Sequence, residues 1–115
     1  MFTIDIEKSK SLKNGINVHK LKAGTTIYVI TKNSLYKIIK GSLDEHDITI
    51  QGGKRFKEPL KANFSGSTFG GSILKVGWIG YMMNMEFYVL SYKKKYTTSG
   101  VRAARIVGDG WEYDM

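Results

Sequence analysis

Two stretches of this 115-residue chain carry residue types that could hold an anion. The first is Gly66-Ser67-Thr68-Phe69-Gly70-Gly71-Ser72, which runs into Ile73-Leu74-Lys75. Glycines let successive backbone N–H groups converge into a nest, and three hydroxyls add donors. Lys75 would supply the countercharge. The pattern predicts a phosphate-holding loop made by Gly66, Ser67, Thr68, Gly70, Gly71, Ser72 and Lys75, with a nucleotide or other phosphorylated small molecule as its ligand. It is not a Walker loop, because the Gly-Lys-Ser/Thr ending is missing and no helical pattern follows. A plain strand connection that uses glycine for turning or bulging fits the same residues.

The second signal is the interleaving of basic and aromatic residues. Tyr88, Tyr92 and Tyr96 surround Lys93-Lys94-Lys95, Arg102 and Arg105 follow on the next strand, and Lys54-Arg55-Phe56-Lys57 forms another cluster. Bases stack on exposed rings while lysine and arginine neutralise phosphates, which is how small barrels hold single strands. The expected nucleic-acid contacts are Lys54, Arg55, Lys57, Tyr92, Lys93, Lys94, Lys95, Tyr96, Arg102 and Arg105. Tyrosine is also favoured in strands for packing, and a lysine run also suits a hairpin tip.

Residues for catalysis or metal binding do not assemble. With no cysteine there is no thiol nucleophile, thiolate metal site or disulfide framework. No Gly-x-Ser-x-Gly elbow occurs, and neither His19 nor His46 stands in a triad context. Asp44-Glu45-His46-Asp47 offers ligand types but at consecutive positions, so it reads as a solvated acidic turn. His19, between Val18 and Lys20, reads as a surface histidine. Glu86, between Met85 and Phe87, reads as a rim or ion-paired carboxylate. No catalytic residue, metal ligand or cofactor is therefore expected.

Gly77-Trp78-Ile79-Gly80-Tyr81-Met82-Met83-Asn84-Met85 is rich in large, adaptable side chains. Trp78 belongs to a core, whereas Tyr81, Met82 and Met83, at a turn, suit an interface, including one between copies of the chain.

The elements that must position these groups are strands. Hydrophobicity repeats with period two nearly throughout. Ile16 to Leu21, Thr26 to Thr31, Leu35 to Lys40, Ile48 to Ile50, Ser72 to Ile79, Met83 to Tyr92 and Val101 to Val107 read as strands. Thr26 to Thr31 is apolar on both faces, as in a doubly covered strand. Lys32-Asn33-Ser34 marks a tight hairpin, since asparagine tolerates positive φ. Pro59, the only proline, makes Leu60 to Phe64 at most an edge strand. In Met83 to Tyr92, Met85, Phe87 and Val89 share one face.

Turn signals every 8–12 residues predict an all-β barrel or sandwich of roughly six to eight short antiparallel strands. Residues 1–115 read as one domain, with residues 1–14 mobile and 108–115 a polar tail. No apolar run is long enough for a membrane helix, and the first residues lack a secretory signal's apolar region. A cytoplasmic protein is expected. The net charge of +8 comes from 18 basic and 10 acidic residues, and Asp109, Glu112 and Asp114 crowd the tail, leaving the rest more basic still. Such a surface draws polyanions, although lysine also serves solubility. The expected function is non-enzymatic binding of nucleic acid or another polyanion. The alternatives are a phosphorylated ligand at the Gly66–Ser72 loop, or a homo-oligomeric interaction module.

Overall fold

The computed structural model describes residues 15–70, 73–108 and 111–114. In chain order its strands are β1 (Ile16–Asn17), β2 (Thr26–Thr31), β3 (Leu35–Lys40), β4 (Asp47–Gly52), β5 (Phe56–Thr68), β6 (Leu74–Val76), β7 (Trp78–Ile79), β8 (Asn84–Val89), β9 (Lys94–Gly108) and β10 (Trp111–Asp114). β2 pairs with β3, β3 with β4, β4 with β5, β5 with β8, β8 with β9, and β9 returns to β2, all antiparallel. Six strands thus close a ring, and the all-β expectation takes the form of a barrel.

Period-two patterning decides what fills it. Ile27, Val29, Ile38, Ile48, Ile50, Ala62, Phe64, Phe87, Val89 and Val101 are fully buried, each on the inward face of its strand. Met85, Phe87 and Val89 share that face as expected. β1 and β7 form a separate two-stranded piece. It contributes Ile16 and Ile79 to the core, together with Val18 from a 3-10 turn over Val18–Lys20.

Closing so small a ring requires the long strands to change neighbours. β5 pairs with β4 as far as Asn63 and with β6 from Gly66, while its other edge follows β8. The register with β8 shifts between Phe64 and Gly66, and Gly66 has φ +148°, where a side chain would run into the Lys75 carbonyl. β9 slips against both β8 and β2 around residues 98–102. Side chains take over from the ladder there: Met85 N–H donates to Thr98 Oγ1 (3.0 Å), and Ser99 Oγ donates to Thr31 Oγ1 (2.9 Å).

Several sequence expectations need correction. β2 is covered on one face only; Ile27, Val29 and Thr31 are buried, whereas Tyr28 and Ile30 are half-buried. Leu60 to Phe64 is not an edge but the middle of β5, the wall between β4 and β8. Pro59 is tolerated because it falls where the β4–β5 register is already broken, before β8 pairing begins at Ala62. The stretch from Ser72 to Ile79 is two short strands parted at Gly77, φ +72°. Ile16 to Leu21 leaves the strand after Asn17, whose side chain accepts the His19 N–H and starts the 3-10 turn.

The Lys32–Ser34 turn joins β2 and β3 as expected, but Asn33 does not use positive φ. Thr31 and Ser34 close it instead through main-chain and hydroxyl bonds. Trp111–Asp114, expected within a polar tail, pairs with Arg105–Gly108 as β10. The expected mobile segment, residues 1–14, lies outside the described residues. Among the described residues no helix is long and apolar enough to cross a membrane.

Candidate functional site

The two basic-aromatic clusters, some forty residues apart in sequence, meet at one end of the barrel. Phe56 opens β5 with its ring buried. The chain leaves β8 through Leu90–Lys93, a turn closed by Lys93 N–H on Leu90 O (3.3 Å), and Tyr96 follows early in β9. Phe56 lies 5.0 Å from Tyr96 and 6.3 Å from Tyr92, ring centre to ring centre. Phe87 joins from inside the barrel, 5.7 Å from Phe56. The rings therefore form a continuous series from core to solvent, ending at Tyr92, which is 51% exposed.

Cations frame this series. The Arg55 guanidinium carbon is 5.3 Å from the Tyr96 ring centre, and Lys94 Nζ is 5.5 Å from the same centre. Arg55 and Phe56 form the wall between two hollows. One, of about 340 Å3, is lined by Lys54, Arg55, Phe56, Lys57, Glu58, Leu60 and Tyr92. The other, of about 170 Å3, reaches past Tyr36 and Tyr96 to Asn33, Ser34, Thr97 and Ser99. Lys54, Arg55, Lys57, Lys93 and Lys94 stand at this end, and among the described residues none of them pairs with a carboxylate. Lys93 holds φ +53°, and among the described residues the other non-glycine residue at positive φ is Met82, φ +67°. Both lie at turns.

Not every residue expected at this interface reaches it. Lys95 lies on the barrel wall, 3.7 Å from Glu86. Arg102 and Arg105 stand on the part of β9 that pairs with β2, away from the segment that pairs with β8. Arg102 is exposed and Arg105 half-buried, with Asp114 of β10 opposite in register.

The Gly66–Ser72 stretch is not one loop. Gly66, Ser67 and Thr68 are buried in β5 between β6 and β8, so they line no open nest. Ser67 Oγ donates to the Trp78 carbonyl, and Thr68 Oγ1 is buried without a hydrogen-bond partner among the described residues. Gly70, φ +61°, is exposed in the following turn. Gly71 and Ser72 lie outside the described residues. Lys75 places its ammonium 4.0 Å from the Trp78 ring centre. The bulge at Gly66 breaks the alternation, and β6 and β8 flank this part of β5 on both edges, so three consecutive residues are buried where alternation would bury every second one.

Tyr81 and Met82 are exposed, 57% and 49%, while Met83 is half-buried. Their turn is tied to β9 by Met82 N–H on Val101 O (2.7 Å) and Val101 N–H on Met83 O (2.8 Å). Within the strand expected over Ser72 to Ile79 lies β6 (Leu74–Val76). It pairs only with β5, leaving its other edge open among the described residues; Val76 (61%) is exposed on it and Ile73 (77%) just before it.

Sequence reading also missed the histidines. His19 is half-buried on the 3-10 turn, not a surface strand residue, and it touches His46. The loop bearing His46 is fixed by Asp47, a buried carboxylate that pairs with Lys61 Nζ (2.7 Å) and accepts the Leu43 N–H (3.1 Å). The Lys61 hydrogen bond, with smaller help from Leu43 and Lys40, holds the Asp47 carboxyl below its ordinary range against the opposing effect of burial.

Comparison of the chain with family models, with curated proteins and with solved structures finds no match.

Proposed function

We propose that the Arg55–Phe56–Tyr92–Tyr96 end of the barrel binds single-stranded nucleic acid, without catalysis. The observation that carries this reading is the convergence of two sequence-distant clusters into one surface. There Tyr92 is exposed, and Arg55 and Lys94 flank Tyr96 without carboxylate partners among the described residues. A base needs a ring face and a phosphate needs a cation, and both lie side by side here. A cytoplasmic setting belongs to the same proposal and rests on the absence of cysteine. The test is fluorescence anisotropy with a labelled single-stranded oligonucleotide at low salt. Binding weakened in Tyr92→Ala and Arg55→Ala, with melting temperature unchanged, supports the reading; a wild type that does not bind refutes it.

A second reading, a homo-oligomeric module, is favoured by the open β6 edge and the exposed Tyr81–Met82 turn. Sedimentation velocity decides it, because a wild type that stays monomeric at high concentration removes it. The phosphorylated-ligand reading at Gly66–Ser72 is weakened by the burial of Gly66, Ser67 and Thr68.

A further inference from the structure

The chain has two histidines, 27 residues apart, and the fold brings them together. His19 comes from the 3-10 turn, and His46 from the loop between β3 and β4. His46 Nδ1 lies 3.1 Å from His19 Nε2, the same nitrogen that lies 2.8 Å from the Phe64 carbonyl oxygen. The rings meet edge-on, their centres 4.4 Å apart.

One hydrogen on His19 Nε2 can serve both Phe64 O and His46 Nδ1 only as a bifurcated donor. If Nε2 carries hydrogen and donates to Phe64 O, only a shared part of that hydrogen reaches His46 Nδ1. If Nε2 instead accepts from His46 Nδ1–H, its lone pair and those of Phe64 O share the 2.8 Å gap. A cation that takes electron pairs from all three would instead use each atom at full strength. Metal–ligand bonds of about 2.1 Å put neighbouring ligand atoms about 3.0 Å apart at right angles and about 3.4 Å apart in a tetrahedron. The observed 2.8 and 3.1 Å are nearer the former, so a tetrahedral zinc would require these ligand atoms to part by about 0.3–0.6 Å.

The surroundings favour a dication too. Glu45 Oε1 is 3.5 Å from His46 Nε2, the position from which a carboxylate orients a metal-binding imidazole with its lone pair on Nδ1. The histidine and glutamate groups gather within 4.8 Å. Asp44 adds negative charge next to them in an otherwise basic protein. The ring of His19 and the backbone of His46 are held in place. His19 stacks edge-on against Phe64, and a side chain at Gly77 would strike it. His46 is tethered by Phe64 N–H on its carbonyl (2.8 Å) and by its own N–H on Asp44 Oδ1 (2.8 Å).

The geometry points to a divalent transition-metal site of the zinc class, with His19 Nε2, His46 Nδ1 and the Phe64 carbonyl as ligands and Glu45 as the outer partner of His46. Imidazole donors select zinc, nickel or copper over calcium and magnesium. The metal joins the 3-10 turn and the β3–β4 loop across β5, and so strengthens the barrel at the end away from the nucleic-acid surface.

The experiment uses untagged full-length protein, stripped with chelator and titrated with Zn2+ alone. Bound zinc is measured by equilibrium dialysis, and stability by melting temperature. One zinc per chain is expected, with a raised melting temperature. His46→Gln, at a partly exposed loop position that spares the fold, should weaken affinity beyond the roughly 10–100-fold typical of losing an outer partner, and Glu45→Gln should lie within that range. His19→Gln should abolish binding; since it also disturbs the packing on Phe64, His46→Gln is the deciding variant. Imidazole 15N shifts at His19 Nε2 and His46 Nδ1 should move on addition of zinc. Failure of wild type to retain zinc overturns the site, as does equal binding by wild type and His46→Gln.

Discussion

At the end of the barrel where β3 begins, rings and cations point outward from turns; at the end where β3 finishes, charged groups turn toward one another. Lys54, Arg55, Lys57, Lys93 and Lys94 stand without a carboxylate among the described residues, beside an exposed Tyr92. Across the barrel, Asp47 takes Lys61 and the Leu43 N–H, buried Lys40 caps the Asp44 carbonyl, and His19 engages Phe64 and His46. Similar residue types thus do different work. Charge already satisfied within the chain organises a loop, whereas charge left in water beside a ring is available to a partner.

The largest effect is expected at the core that both ends share. Phe87, fully buried, supports Phe56 and Tyr96 from within. Phe87→Ala should cost about 3–5 kcal/mol in urea unfolding and impair both ends together. A loss confined to one end would mean the ends are not built on one core.

Next, Asp47→Asn should cost about 2 kcal/mol at neutral pH, because it removes the charge that pairs with Lys61 and leaves one accepting oxygen where two served Lys61 and the Leu43 N–H. The folded-state pKa of Asp47 is lowered from its ordinary 3.8. Its contribution is therefore complete above that value and is lost as pH falls through the lower folded value. Stability of wild type and variant, measured from pH 7 downward, should converge in acid. Convergence on going to alkaline pH would have the wrong sign. Oligonucleotide binding at pH 7 should survive, because the variant strikes the opposite end.

At the basic end, Tyr92→Ala should cost about 1–3 kcal/mol of single-strand affinity, the range for losing a stacked ring. Its melting temperature should barely move, since Tyr92 is a half-exposed turn residue. An anisotropy titration beside a thermal melt checks both. The smallest effect belongs to Tyr81→Asp, which should change stability by no more than about 0.5 kcal/mol. If the chain self-associates through that turn, sedimentation should show the variant dissociated.

How much of this was legible in the sequence depends on whether the interaction is local. The β2–β3 turn, the inward face of Met85, Phe87 and Val89, and the exposure of Tyr81 and Met82 follow from alternation and turn chemistry over a few residues. So do the two basic-aromatic clusters, though their meeting depends on β5 and β9 both bordering β8. The Gly66–Thr68 burial was not legible, because a bulge breaks the period-two rule at the point where glycine also suggests a loop. Pro59 misled for a related reason: the break in β4–β5 register that admits it is set by the partner strand. The His19–His46 pair was hidden because neither residue has a metal spacing, and only the passage of Phe64 beneath them brings them together.

The salt dependence of single-strand binding tests the proposed nucleic-acid surface most directly. Wild type and the triple variant Lys54→Ala, Arg55→Ala, Lys57→Ala are titrated with one labelled oligonucleotide from low to moderate salt. Each phosphate that the variant no longer neutralises should reduce the slope of log affinity against log salt by about 0.7 for a single strand. A steep wild-type slope is expected, flattening by up to about 2 in the variant. No wild-type binding at low salt, or identical slopes for the two proteins, would contradict a nucleic-acid surface at this end of the barrel.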